Sequence, residues 1–167
     1  MDCLNYWIMN RKMKKLFDKL SSNLGTDTLK IDAKGLEGLF CPQFRKVKDC
    51  IIISEKSTEE MEPYFENAVK MYTDKTGYEA ANTETRINCY FKNKISQLAG
   101  VRIARIVLSI WAIRLKELEP KTHFCLIMCS NKERVEIRFH KVRNDEPKWL
   151  AEDLEAYKNG AVGYVII

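Results

Sequence analysis

Apolar and polar positions in the last third of the chain follow the spacings of strands. Residues 124–129 are apolar throughout, as in a central strand buried on both faces. In residues 134–140 apolar side chains alternate with polar ones, and the polar positions are Arg134, Glu136, Arg138 and His140. This alternation predicts an antiparallel strand beside the central one, with one buried and one wet face. Residues 162–167 predict a last, short apolar strand.

Helical spacing appears in four other stretches. Residues 93–118 are apolar over more than one stripe, which predicts the central helix of the core. Residues 13–24 predict an amphipathic helix with lysines on its outer side, ended by Gly25. A capping box at Ser57 and Glu60 begins a helix that kinks or restarts at Pro63 and ends at Gly77. Residues 145–160 predict an acidic helix with Pro147 in its first turn.

That last helix has an apolar stripe and a charged outer side. The predicted stripe is Leu150, Leu154 and Tyr157, and the predicted outer charges are Glu152, Asp153 and Glu155.

Three weaker patterns predict strands over residues 29–33, 50–53 and 84–91. Together the elements predict an α+β fold: one compact domain over residues 1–167, with a largely antiparallel sheet of four to five strands against the long helix. Residues 1–12 are expected to be poorly ordered.

Composition narrows the class of protein without naming its partner. The net charge of +5 is too small to imply nucleic acid by itself. Six cysteines are spread along the chain without a C-x-x-C pair, which favours free core thiols in a reducing cytosol over a disulfide scaffold. The longest apolar region, residues 98–113, contains Arg102 and Arg105 and is shorter than the ~20 residues of a bilayer span. No secretory signal is visible at the start, and we expect a cytoplasmic protein.

Catalytic and metal-binding motifs are absent from the sequence. His123, Cys125 and Cys129 would share one strand face, but positions i and i+4 lie ~13 Å apart on a strand, too far for one zinc ion to hold both thiolates. Phosphate loops, nucleophile elbows and zinc-helix motifs do not occur. We therefore predict no catalytic residue, metal or cofactor. A small enzyme centred on a cysteine or histidine stays a lesser alternative, with Cys89, Cys125, His123 and His140 as candidates.

The predicted surface contains candidate binding residues. On the predicted wet face, Arg134, Arg138 and His140 could contact phosphates or an acidic protein surface, although Glu136 could instead pair with the arginines. Arg143 extends the basic run, and Trp149 is either a binding anchor or the rim of the core.

The block from Val135 to Arg143, with residues 146–157 and the terminal apolar strand, resembles a pattern in small bacterial immunity proteins. These accompany polymorphic toxins, including those of contact-dependent growth inhibition. The resemblance covers about the last 35 residues and carries over no toxin-binding residue. It implies a cytosolic, non-enzymatic protein that binds a cognate toxin domain tightly and blocks it. Inhibitors of basic nucleases tend to be acidic, whereas this chain is basic.

The resulting prediction is an immunity protein that neutralises a toxin by stoichiometric binding. The predicted partner-binding residues are Arg134, Arg138, His140, Arg143, Trp149, Glu152, Asp153 and Glu155. The alternative is a nucleic-acid-binding module that uses the basic strand and the lysine-rich first helix.

Overall fold

The computed structural model describes residues 6–22 and 35–167. Gly25 and the strand predicted over residues 29–33 lie outside them. The strands are β1 (Ile8–Met9), β2 (Phe44–Val47), β3 (Cys50–Ile53), β4 (Thr85–Arg86), β5 (Phe124–Ser130), β6 (Val135–Lys141) and β7 (Ala161–Ile166). The α-helices are α1 (Arg11–Ser22), α2 (Glu37–Phe40), α3 (Thr58–Met61), α4 (Phe65–Met71), α5 (Lys75–Asn82) and α6 (Gln97–Leu118). Short 3-10 turns cover Glu62–Tyr64, Ile87–Tyr90 and Leu154–Ala156.

An antiparallel sheet of five strands, ordered β1-β7-β5-β6-β4, confirms the predicted α+β fold. The apolar strand β5 is central, because β6 and β7 pair with it on either side. Residues 6–12, expected to be poorly ordered, contribute β1 and the first turn of α1. Among the described residues, no helix combines the length and the apolar character needed to cross a bilayer.

Helix α6 packs its apolar residues on one face of this sheet, as its wide apolar surface predicted. Ser96 caps it by accepting a hydrogen bond from the N–H of Ala99. The indole of Trp111 is fully buried at the centre of the core and donates to the carbonyl of Leu39 at 3.0 Å. Its ring also contacts Phe139 of β6 edge to face, which joins the helix to the sheet.

A separate hairpin of β2 and β3 lies beside the main sheet. The β-branched run at 50–53 predicted β3, whereas β2 was missed because its sequence, FRKV, has no clear alternation. The chain turns between the two strands at Lys48, which adopts a left-handed φ of 54°. The capping box at Ser57 is confirmed, and the helix restarts after the 3-10 turn that contains Pro63.

Three predicted elements are wrong. The strand over residues 84–91 is only β4, because the chain then turns and the Asn88 side chain, not strand backbone, accepts the N–H of Val135 at 2.7 Å. Gly77 does not end a helix: it lies in the first turn of α5, where Asp74 caps its N–H at 2.6 Å. Residues 145–160 form a loop with one 3-10 turn.

Tertiary contacts account for the missing helix. Glu146 accepts the N–H of Thr76 at 2.7 Å, which anchors the start of the loop to α5. Trp149 lies over the guanidinium of Arg138, 5.7 Å from the ring centroid, and Leu154 is buried. Because helix propensity differs by less than about 1 kcal/mol for most residues, contacts of this kind override it. The segment lies across the sheet in an irregular conformation.

The same segment makes the predicted wet face of β6 wrong. Glu136 and His140 are buried, and the Arg138 side chain is only 12% exposed. An alternating strand exposes its polar face only if nothing packs on it. Here Trp149 lies against Arg138, residues of the same loop lie around His140, and Arg86 and Arg134 pair with Glu136. Arg134, which precedes the strand, stays exposed.

Candidate binding pocket on the outer face of the sheet

We call the side of the sheet away from α6 the outer face. Alternate residues of β5, β6 and β7 point to it, because the intervening residues belong to the core cluster around α6. In the pairing register, Ile127 lies opposite Arg138 and Tyr164. The next row along the strands is Cys125, His140 and Ile166.

A pocket of about 170 Å³ lies between this second row and residues 142–152. Cys125 and His140 contribute to its lining from the sheet, and Trp149 and Leu150 from the loop. Three apolar side chains of its lining are partly exposed to solvent: Val142 by 39%, Trp149 by 40% and Ile166 by 52%. Lys148 and Glu152 also line it and form an ion pair at 3.0 Å. The site is therefore a small apolar cavity with an aromatic and charged rim.

Burial determines the protonation state of His140. Because the ring is buried, its pKa lies below the usual range, and this effect exceeds the opposing hydrogen bond to Lys141. The Nδ1–H donates to the carbonyl of Lys141 at 2.7 Å. In a neutral imidazole the other nitrogen, Nε2, is then an acceptor. His140 therefore provides a neutral polar group beside the pocket, not a cation.

Internal ion pairs hold the three predicted arginines. Arg138 donates to Glu84 at 2.7 Å and lies over Trp149. Arg134 Nε lies 3.1 Å from Glu136 Oε1, although without hydrogen-bond geometry, which confirms that Glu136 pairs with its neighbours. Arg143 donates to Glu79 at 2.7 Å, with 10% of its side chain exposed.

The predicted carboxylates separate into different roles. Glu152 lines the pocket beside Lys148. Asp153 caps the 3-10 turn through the N–H of Glu155 at 2.9 Å. Glu155 in turn accepts the N–H of Arg11 at 2.7 Å, which fastens the loop to the start of α1. The structure thus brings together His140, Trp149 and Glu152, with Arg138 against the same tryptophan, and places the other predicted residues elsewhere.

Cys125 and His140 are direct cross-strand partners, the arrangement that a cysteine–histidine nucleophile pair would need. A nucleophilic cysteine acts as its thiolate, which needs a lowered pKa. Burial instead raises the pKa of Cys125 to about 12. The thiol is therefore protonated at neutral pH and packs as a small apolar group. Within the described ranges, no three His, Cys, Asp or Glu side chains are grouped as a metal ion would need.

The other cysteines in the described part of the chain only partly follow the prediction of core thiols, and Cys3 lies outside the described residues. Cys50 is buried and Cys129 half-buried, but Cys41 and Cys89 are exposed. Sequence reasoning also missed Tyr164 and Ile166 as pocket residues. Their alternation with Val165 in the terminal strand could have placed them on the outer face.

A family model described as the uncharacterized protein PM0498 family matches residues 8–166, and the chain belongs to that family. No curated protein and no solved structure matches the chain.

Proposed function

Because the description of this family states no activity, we propose from the pocket and the sequence resemblance that the protein is an immunity protein. It would bind a cognate toxin domain as a stoichiometric complex in the bacterial cytosol and so block the toxin. The outer-face pocket would receive one anchor side chain of the toxin.

One observation carries this proposal. Every lining residue of the pocket except Cys125 comes from residues 140–166, the part of the chain that resembles immunity proteins. The resemblance and the exposed apolar site were found independently, one from sequence pattern and one from geometry. The pocket therefore lies in the part of the chain that carries the resemblance, although the resemblance itself assigns no binding residue.

The chemistry of the site supports binding of a protein side chain. Its volume of about 170 Å³ is below the range of ~300–1,000 Å³ that is typical of small-molecule pockets. Binding energy in protein interfaces is concentrated on buried aromatic and arginine residues near the centre of the contact, and Trp149 and Arg138 are stacked at this site. Lys148 and Glu152 add charges of both signs, which favour specificity and association rate.

The free thiols support the cytosolic location. Five cysteines in the described part of the chain are free, and two of them are buried. Such thiols persist where the compartment is reducing.

The test is co-expression with the protein encoded by the adjacent gene, followed by affinity purification and a growth-rescue assay. We expect a one-to-one complex and rescue of growth. Trp149→Ala should weaken the complex at least ~30-fold, the effect of losing an interface hot spot of about 2 kcal/mol. The matched control is Tyr64→Ala, which removes an exposed aromatic ring, 69% exposed, outside the pocket. Absence of a complex, or an equal loss of affinity in Trp149→Ala and Tyr64→Ala, would contradict the proposal.

A further inference from the structure

A second concave surface lies at the other end of the molecule, and its charge is of one sign. It is a cleft of about 270 Å³ between α1, the start of α6 and the turn between β5 and β6. Four lysines line it: Lys12, Lys15, Lys19 and Lys132. None of the described residues that line it is acidic. We call it the lysine cleft.

The lysines of the cleft are not neutralised by neighbouring carboxylates. None of the four has a carboxylate oxygen within 4.0 Å among the described residues, whereas Lys46, Lys48 and Lys141 elsewhere do. Lys12 donates only to the backbone carbonyl of Lys158, itself an exposed lysine. Like charges gathered in this way repel one another and destabilise the compact state. Their concentration at one concave site therefore indicates an external anion.

One lysine of the cleft, Lys12, lies in the first turn of α1, where the helix dipole disfavours a cation. That turn contains Arg11, Lys12 and Lys14 and no acidic residue. Cations at a helix N-terminus are unfavourable, by about 0.3–1 kcal/mol each at exposed positions. Glu155 accepts the N–H of Arg11 and lies 3.6 Å from its guanidinium, which offsets part of this cost at Arg11. The apolar side of the helix is already used, since Met13 and Leu20 are buried in the core, so the charged side alone is available for binding.

The arrangement of the lysines suits an extended anion. Lys12, Lys15 and Lys19 lie on one face of α1 and extend over ~10 Å along the axis, at 1.5 Å per residue. Cations spread over this length match a chain of repeated charges better than one isolated phosphate. Lysine is depleted in protein interfaces, whereas it binds phosphate as a point charge. These preferences favour a phosphodiester backbone over an acidic protein surface.

Amide groups beside the lysines extend this recognition. The Oδ1 of Asn131 accepts the N–H groups of Glu133 and Arg134, both at 2.9 Å, which leaves its amide nitrogen to donate. Asn159 also lines the cleft. Amide side chains of this kind donate to phosphate oxygens. The cleft has no aromatic side chain among its described lining residues, so stacking on bases is not expected.

We infer that the lysine cleft binds the phosphodiester backbone of nucleic acid without sequence preference, at a site separate from the outer-face pocket. The inference does not depend on the proposed toxin partner.

The experiment measures binding of the full chain to a fluorescein-labelled 20-nucleotide oligothymidine by fluorescence anisotropy between 50 and 300 mM NaCl. Four phosphates neutralised on a single strand give a log–log slope of about −2.8. The variant Lys15→Gln with Lys19→Gln should reduce the slope to about −1.4 and raise the Kd at 50 mM NaCl at least ~10-fold. An oligonucleotide of mixed sequence should bind with the same affinity.

The matched control is Lys56→Gln with Lys70→Gln, which removes two exposed lysines outside the cleft. It should leave slope and affinity unchanged. Circular dichroism melting shows whether each variant is folded. The inference would be overturned if the chain did not bind the oligonucleotide at 50 mM NaCl, or if the cleft and control variants lost the same amount of affinity. Displacement by polyglutamate as effective as by unlabelled oligonucleotide at equal charge would assign the cleft to acidic polypeptides and would also overturn it.

Discussion

The carboxylate of Glu79 lies 2.7 Å from the guanidinium of Arg143, and its own side chain is fully buried. It also accepts two backbone N–H groups at 2.7 Å, from Ile51 of β3 and Lys141 of β6. The carboxylate therefore fills the gap between the hairpin and the main sheet and takes the place of a strand partner for both. Arg143 is therefore a structural residue, although the basic run in the sequence predicted that it would bind a partner at the surface.

Replacing Glu79 should strongly destabilise the fold. Glu79→Ala leaves the Arg143 guanidinium and two buried N–H groups without their partner. Loss of one member of a buried ion pair costs about 3–5 kcal/mol, and we expect a decrease of that size in the free energy of unfolding in urea. Glu152→Ala, which breaks the exposed pair with Lys148, should change stability by less than about 1 kcal/mol. An effect of Glu79→Ala as small as the control would show that the hairpin is held by other contacts.

Stability should fall at low pH partly through Glu119. Partial burial favours a raised pKa, but hydrogen bonds from Lys141, Lys46 and Thr122 outweigh it and lower the pKa to about 2. A lowered folded-state pKa stabilises the protein above the unfolded value of ~4.5, and this contribution is lost as the pH falls from there towards 2. Allowing for solvent screening, we expect about 1–2 kcal/mol from this group.

Urea unfolding at pH 7 and pH 3 measures this contribution. Glu119→Gln should destabilise the protein at pH 7 and flatten the decrease between the two values. Glu117→Gln, an exposed neighbour on α6, should leave the decrease unchanged. An unaltered pH dependence in Glu119→Gln would show that the lysine contacts do not persist in solution.

Thiol labelling should separate the cysteines into two groups. Burial raises the pKa of Cys50 and Cys125 to about 12, and that of Cys129 to about 11. Since only the thiolate reacts, alkylation by iodoacetamide at pH 8 should be at least ~100-fold slower at these three than at the exposed Cys41 and Cys89. Mass spectrometry of the labelled peptides measures the rates. Fast labelling of Cys125 would revive the cysteine–histidine enzyme as a hypothesis.

Gly77 should not tolerate a methyl group. A Cβ atom there would lie 2.3 Å from the backbone carbonyl oxygen of Tyr72, at the tight turn into α5. Gly77→Ala should therefore destabilise the protein by about 1–3 kcal/mol, the usual cost of overpacking. At Gly38 in α2 a Cβ would meet nothing closer than 4.0 Å, and Gly38→Ala should be neutral or stabilising by up to ~1 kcal/mol. Thermal unfolding of both variants tests the contrast, and equal stability of the two would contradict it.

Periodicity along the chain predicted correctly those elements whose own pattern of apolar residues shows how they pack. Strand β5 is apolar on both faces, β6 alternates beside it, and α6 is apolar around more than one stripe. Each of these patterns has one simple structural solution, namely a central strand, its neighbour and a core helix. The α+β class and the confirmed elements follow from this. Polar side chains that replace backbone partners, such as Asn88 at the edge of β6, leave no periodic signal and were missed.

The sequence by itself determined the central strands, the long helix and the concentration of lysines on α1, because these depend on residue type and spacing along the chain. Only the tertiary structure decided that residues 145–160 form a loop over the sheet, that His140 is buried and neutral, and that Arg143 is paired with Glu79. The physical reason is that burial and pairing arise from segments far apart in sequence. Their contact energies exceed the small local preferences on which a pattern depends.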